Sequence, residues 1–258
     1  MAINDRDRPV VLAHRRFCED RESFLGLDLA RRFQRIHDTN LWGASDSPSG
    51  LGSEIDATAV LRAGLPPLLD RLGATSLLDA PCGDAGWINR AGLSLRYVGV
   101  DIVPELVARL QARAAAGEIR GDYHLADITS DTLPRCDAVL CRDCLVHLSF
   151  ANILRAVANF AGSGAAWLIT TTFPDWQTNK DCDDGDWRAL NFARAPFGWG
   201  PPSQILNENC REAGGGWRDK SLGAWRLAAI ARDRRPHDQV SAPIVTVKSR
   251  RESPNWKH

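Results

Sequence analysis

Between residues 10 and 38 apolar side chains recur at three- and four-residue steps: Phe17, Phe24, Leu25, Leu29, Phe33 and Ile36. That spacing predicts one amphipathic helix. Residues 39–52 are rich in Gly, Ser, Asp and Pro and predict a loop. Ser53 is placed to cap a helix reaching about Leu61, and Pro66 and Pro67 begin another short helix that ends near Gly73. The rhythm then changes. Residues 76–80, 97–100, 123–126, 138–141 and 165–171 are short runs of apolar and β-branched side chains, the pattern of buried strands. Helices are predicted between them near 87–91, over 104–116 with proline in its first position, and over 150–160.

Strand and helix alternate with short connections, so the expected fold is α/β, a mostly parallel sheet with helices on both faces. Two further strands between Ile205 and Ile230 would make it seven-stranded. The chain divides into an N-terminal helical segment or lid (1–74), the α/β domain (75–232) and a tail (233–258). Within the tail, residues 244–247 can pair as an edge strand.

Composition narrows the partners. Lys+Arg and Asp+Glu both total 32, so the formal charge is zero, against a protein that coats nucleic acid through its overall field. The arginines before residue 36 are interleaved with acids and read as a solvated helix face. Arg15, Arg16, Glu19 and Asp20 interrupt any leader-like stretch, and no apolar run reaches a membrane span. Seven scattered cysteines suit a reducing cytoplasm. Cys141 and Cys144 form a lone C-x-x-C without a second pair at zinc spacing, so no metal is expected. A homo-oligomer is compatible with all of this.

The segment Leu77-Leu78-Asp79-Ala80-Pro81-Cys82-Gly83-Asp84-Ala85-Gly86-Trp87 runs an apolar strand into a turn of small residues. Ligands of open α/β sheets sit beyond such strand ends. A pyrophosphate site would present G-x-G-x-x-G at a helix N-terminus. Here Asp79 ends the strand and Asp84 lies in the turn. Carboxylates there repel phosphate and attract cations. This disfavours a nicotinamide-dependent oxidoreductase, and a binding module that keeps only the fold stays behind an enzyme. Asp101 closes the next strand 22 positions on, where an acid can accept from both ribose hydroxyls. Asp127 follows the third strand within reach of an adenine amine, with Ile102 and Ile128 flanking the ring.

The order D-x-x-x-G-D-x-G, G-V-D-I, A-D-I and C-D-A-V-L-C-R-D resembles the class I, Rossmann-like S-adenosylmethionine-dependent methyltransferases over about residues 75–172. Its wording is similar to a bacterial subgroup associated with sugar and natural-product modification. The resemblance implies that Asp79, Pro81, Cys82, Gly83, Asp84 and Trp87 surround the methionine part, Asp101 and Ile102 the ribose, and Asp127 and Ile128 the adenine. Arg142 joins them from the fourth strand end. Trp42 and Ser53 (or Thr58) close over the cofactor from the lid. Pro81 and Ala85 replace the usual first and third glycines of the turn.

Asp143 and His147 are four apart and share a face if a helix starts there. His147 then suits a general base that removes an acceptor's proton, with Asp143 orienting it. Packing against adenine or core is the competing role. Thr171 and Thr172 at the fifth strand end, with Trp187 and Arg188, are candidates for the acceptor site. Trp187, Phe197 and Trp199 can form an aromatic platform. The acids at 181–186 read as a solvated loop ahead of a divalent-cation site. The expected activity is O-methylation of a small polyhydroxylated acceptor, with N-methylation of an amine or peptide as the alternative.

Overall fold

A computed structural model describes residues 5–232; the predicted edge strand at 244–247 lies outside the described residues. Five strands, β1 (Ser76–Asp79), β2 (Arg96–Asp101), β3 (Asp122–Leu125), β4 (Ala138–Cys141) and β5 (Trp167–Thr172), are followed by β6 (Gln204–Asn207) and β7 (Ser221–Arg226). They form one sheet in the order β3-β2-β1-β4-β5-β7-β6. The contacts among β1 to β5 are parallel, and β7 runs antiparallel to both β5 and β6. Every residue of β1, β4 and β5 is buried, because these central strands are covered on both faces. The expected seven-stranded, mostly parallel α/β sheet is what forms.

Helices α1 (Leu12–Glu19), α2 (Leu29–Asp38), α3 (Ala59–Leu72), α4 (Pro104–Ala115) and α5 (Phe150–Gly162), the kinked turn α6 (Glu212–Gly215) and α7 (Leu227–Arg232) complete the described elements, with several 3-10 turns. Adjacent strand residues face opposite layers. Leu78, Val98, Val139 and Leu168 pack with Ile153, Val157 and Phe160 of α5 and Leu227 and Ile230 of α7. Leu77, Leu140 and Ile169 pack with Leu61, Leu65, Leu68 and Leu69 of α3 and with Leu110 of α4. Among the described residues no helix is long and apolar enough to cross a membrane.

Three local expectations are corrected. The single helix expected over 10–38 is broken: a 3-10 turn at Arg21–Phe24 follows α1, Gly26 takes a positive φ, and Asp28 caps α2 by accepting from the Arg31 N–H at 2.9 Å. The break lets Phe17, Phe24, Ile36 and Leu41 fold onto one another as a small separate core. Ser53 starts no helix; it ends a 3-10 turn, and α3 runs unbroken from Ala59 through Pro66 and Pro67. Near Trp87 only Ile88–Arg90 is helical, as a 3-10 turn.

The Phe160 side chain is fully buried between α5 and the sheet. Phe160→Ala is expected to cost about 3–5 kcal/mol of unfolding free energy, read from the denaturant midpoint at unchanged m-value.

Candidate functional site

The carboxyl ends of β1 to β5 share one edge with the end of β6 and the start of β7, since Thr172 and Asn207 both pair with Ser221. Among the described residues, two adjoining clefts open at this edge beside a third lined by Arg142, Glu208 and Lys220. The larger of the two is lined by Trp42, Ser53, Asp79, Pro81, Cys82, Gly83, Asp84, Trp87, Asp101, Ile102, Asp127, Ile128 and Arg142, while Thr58, the alternative to Ser53, is buried away from it and donates to the Glu54 and Ile55 carbonyls. The turn after β1 needs its glycine. Gly83 has φ +54, and a Cβ there would meet the Ser49 hydroxyl at 2.3 Å. Ala85 takes φ 52 with a side chain, in the left-handed region that glycine occupies freely.

Asp79 and Asp101 end adjacent strands and are only 3% and 6% exposed. The Tyr97 hydroxyl donates to Asp79 at 2.7 Å. Backbone N–H groups of Gly83 and Val103 donate to separate oxygens of Asp101, both at 3.0 Å. Burial pushes the Asp79 carboxyl up to about 7, against the pull of Tyr97 and Arg142. Burial also raises Asp101, opposed by its N–H donors. Asp127 bonds the Thr129 N–H and hydroxyl through one oxygen, a local turn cap, while still lining the cleft. The Trp42 indole nitrogen is buried without a partner among the described residues.

A second cleft adjoins the first and shares Trp42, Ser49, Asp143 and His147 with it. Its walls add Phe173, Trp187, Trp217, Glu212 and Lys220, with residues 11–13 and 50–52. Trp187 and Trp217 meet edge to face at 4.9 Å.

Asp143 and His147 do not stand on one helix. Asp143 has φ 50, and only Leu145–His147 forms a 3-10 turn. The Asp143 carboxylate is held by Lys220 Nζ at 2.6 Å and by Arg142 at 3.2 Å, with Thr171 bonding both its N–H and its side chain. Against a desolvation that would raise it, these two cations hold Asp143 well below the usual carboxylate range. His147 instead pairs through Nδ1 with the Asp186 carbonyl at 2.9 Å and stacks against Trp42 at 4.7 Å between ring centroids. The carbonyl accepts, so Nδ1 carries the proton and Nε2 keeps a lone pair. Burial lowers His147 to about 4.

The remaining acceptor-site expectations divide. Thr171 and Thr172 are buried and line neither of these two clefts; the Thr172 hydroxyl bonds the Leu190 carbonyl. Arg188 braces the loop by donating to the carbonyls of Leu145 and Leu148. Trp187 does line the second cleft, but Phe197 and Trp199 pack with Phe192 and Trp225 as a local core. The acids at 181–186 do more than meet solvent: Asp184 accepts from the Ser149 N–H and Asp181 from the Phe150 N–H, capping α5.

Several lining residues escaped the sequence reading. Leu29, Phe33 and His37 line the larger cleft from one face of α2. Their helical spacing was visible, but it reads equally as core. Ser49 accepts from the Asp84 N–H at 2.9 Å and so ties the N-terminal segment to the β1 turn. Lys220 and Glu208 complete a buried cluster with Arg142, whose guanidinium donates to Glu208 at 2.7 Å. Only the sheet topology brings them there.

Residues 77–163 match the family model of a methyltransferase domain. No curated protein matches the chain in sequence. Among solved structures, human N-acetylserotonin methyltransferase in complex with S-adenosylmethionine is similar with a TM-score of 0.53 and 12% identity, over 80% of this chain and 61% of that one. Magnesium protoporphyrin IX methyltransferase from Synechocystis PCC 6803 with bound S-adenosylmethionine gives 0.48 and 14%, over 78% and 99%. A protein from Pyrococcus horikoshii OT3 gives 0.37 and 18%, over 46% and 59%. The chain spans about three fifths or less of the first solved structures it matches. Residues 77–163 thus match a methyltransferase domain model, and the sheet that they belong to has a Rossmann-like α/β fold.

Asp79 also sets a pH dependence. Its folded value of about 7 lies above the ordinary 3.8. The folded state therefore binds the extra proton, and the associated stability is full below pH 4 and lost as pH rises through 7. Asp79→Asn keeps an acceptor for Tyr97 without that proton. In ligand-free protein it is expected to abolish a loss of about 2–4 kcal/mol between pH 4 and 8, measured by urea unfolding at both values.

Proposed function

We propose that the protein is an S-adenosylmethionine-dependent methyltransferase that moves the methyl group to an oxygen of a small polyhydroxylated acceptor, a sugar or glycosylated metabolite, seated in the second cleft. The observation that carries the reading is the junction of the two clefts at His147 and Asp143. One cleft is rimmed by buried acids and the other by aromatic faces and ionic groups. An in-line displacement needs donor and acceptor to meet at one wall, and a good leaving group leaves positioning as the protein's main task.

The larger cleft fits the cofactor by its own chemistry. Asp79, with its burial-raised carboxyl, would hold the methionine ammonium beside Pro81, Cys82, Gly83, Asp84 and Trp87. Asp101 keeps lone pairs beyond its two N–H bonds for the ribose hydroxyls. Ile102 and Ile128 would sandwich adenine, with Asp127 at its amine. Trp42 and Ser53 would cover the ligand as part of the 1–74 lid, and Arg142 would face the carboxylate. The cofactor supplies an electrophilic methyl on a sulfonium.

His147 would take the acceptor's proton at Nε2. It is a weak base in the free protein, but a hydroxyl becomes strongly acidic as its oxygen gains the methyl. Asp143 would act on the acceptor from its Lys220 clamp rather than orient the imidazole. The edge-to-face pair Trp187 and Trp217 gives a sugar ring apolar faces, and Lys220 and Glu212 give its hydroxyls partners.

Methylation of an amine is the second reading. Glu212 and Asp143 in the acceptor cleft favour a cation, and His147 at about 4 favours an acceptor that needs little base.

Calorimetry with S-adenosylhomocysteine tests the cofactor half. Asp101→Asn should weaken binding at least about tenfold, the worth of a charged hydrogen bond; unchanged affinity removes Asp101 from the site. His147→Ala tests the reacting half on an identified acceptor. Oxygen transfer should lose about 10²–10⁴ in kcat, whereas an unchanged rate supports the amine reading. Because His147 titrates near 4, wild-type kcat should show no histidine limb between pH 6 and 8.

A further inference from the structure

Behind the wall of the second cleft, three side chains from two separate segments converge. His14 and Cys18 stand four residues apart on α1, hence on one helical face. Asp186 reaches them from the loop after β5. His14 Nδ1 lies 2.7 Å from an Asp186 oxygen, and Cys18 Sγ lies 3.7 and 3.9 Å from the two His14 nitrogens. One ligand atom from each of the three falls within 4.8 Å of the others.

We propose that His14, Cys18 and Asp186 form a binding site for a zinc-class divalent cation that staples α1 to the 181–187 loop. Imidazole nitrogen, thiolate sulfur and carboxylate oxygen are the donor set such a borderline-soft ion takes. Around a tetrahedral ion with metal–ligand bonds of about 2.0–2.3 Å, the ligand atoms would lie roughly 3.3–3.6 Å apart. The His14–Asp186 and His14–Cys18 separations differ from this by only about half an ångström, and all three ligand atoms lie within 4.8 Å of one another, within reach of side-chain adjustment. The His14 side chain is 42% exposed, so ions can enter and water can fill a fourth position.

The placement gives the staple a consequence. Ala13 and Trp187 line the second cleft and are the chain neighbours of His14 and Asp186. The Asp186 carbonyl holds His147 Nδ1. An ion here would therefore stiffen one wall of that cleft and the support of its imidazole, from outside both clefts. The site is defined by its own three side chains, whatever acceptor the second cleft takes.

Full-length protein is stripped with a chelator and titrated with Co(II) as a spectroscopic probe, then with Zn(II) in competition. The expected result is one equivalent bound, with a near-ultraviolet thiolate-to-cobalt band that zinc displaces. Cys18→Ser should abolish the band, and His14→Ala should weaken cobalt binding at least about tenfold. Cys182→Ser, which removes the neighbouring thiol of the same loop, should leave both unchanged. Zn(II) should raise the melting temperature of wild type and not that of the Cys18 variant; that variant alters an exposed side chain and is expected to fold. The absence of a band in wild type, or its persistence in Cys18→Ser, overturns the proposal.

Discussion

Two carboxyl groups placed side by side in a nearly dry cleft govern this molecule's site. Asp79 and Asp101 end neighbouring strands whose register is set by the pairing of Asp79 with Gly99. Neither can be solvated by water to the extent its charge demands, and each is raised by burial. Main-chain N–H groups and one tyrosine hydroxyl supply partial compensation. What they cannot supply is positive charge. A sheet edge built in this way is at odds with a phosphate and in harmony with a cationic nucleoside.

The second half of the edge solves the opposite problem. Arg142, Asp143, Glu208 and Lys220 bury two cations and two anions together at the ends of β4 and β6 and the start of β7. Buried ion clusters are a weak source of net stability, because desolvation consumes most of the attraction. Their effect here is positional. Asp143 is held in a left-handed backbone conformation by contacts on three sides, and its charge stays fixed where the clefts meet. Gly52 belongs to the same arrangement. A Cβ at that position would approach Asp143 to 2.8 Å, and its carbonyl accepts from Arg142.

The frame of the fold and the larger cleft were legible because both follow from short-range patterns. Strand ends fall where apolar runs stop, so Asp79, Asp101 and Asp127 are placed at one edge by sequence alone. The helical path of 10–38 was not legible from periodicity alone, since a continuous apolar stripe masks the stop and start signals of Gly26 and Asp28 that break the helix. His147 shows the same failure at smaller scale. Four-residue spacing suggested a shared helical face with Asp143, but that spacing has meaning only inside a helix, and the local backbone turns through a left-handed residue instead.

The second cleft was opaque for a deeper reason. Its walls come from residues 11–13, 50–52, Phe173, Trp187, Glu212, Trp217 and Lys220, contributed by separated parts of the chain. Apart from Trp187, no local pattern marks any of them. Trp187, Phe197 and Trp199 looked alike in sequence, yet only Trp187 turns toward the cleft, because Phe192 stacks on Trp199 at 4.2 Å and draws it into a core. A cofactor shared by many enzymes can be met by strand ends and main chain, which any sheet of this topology repeats. An acceptor must be met by side chains brought from distant segments, so specificity is stored in the tertiary structure.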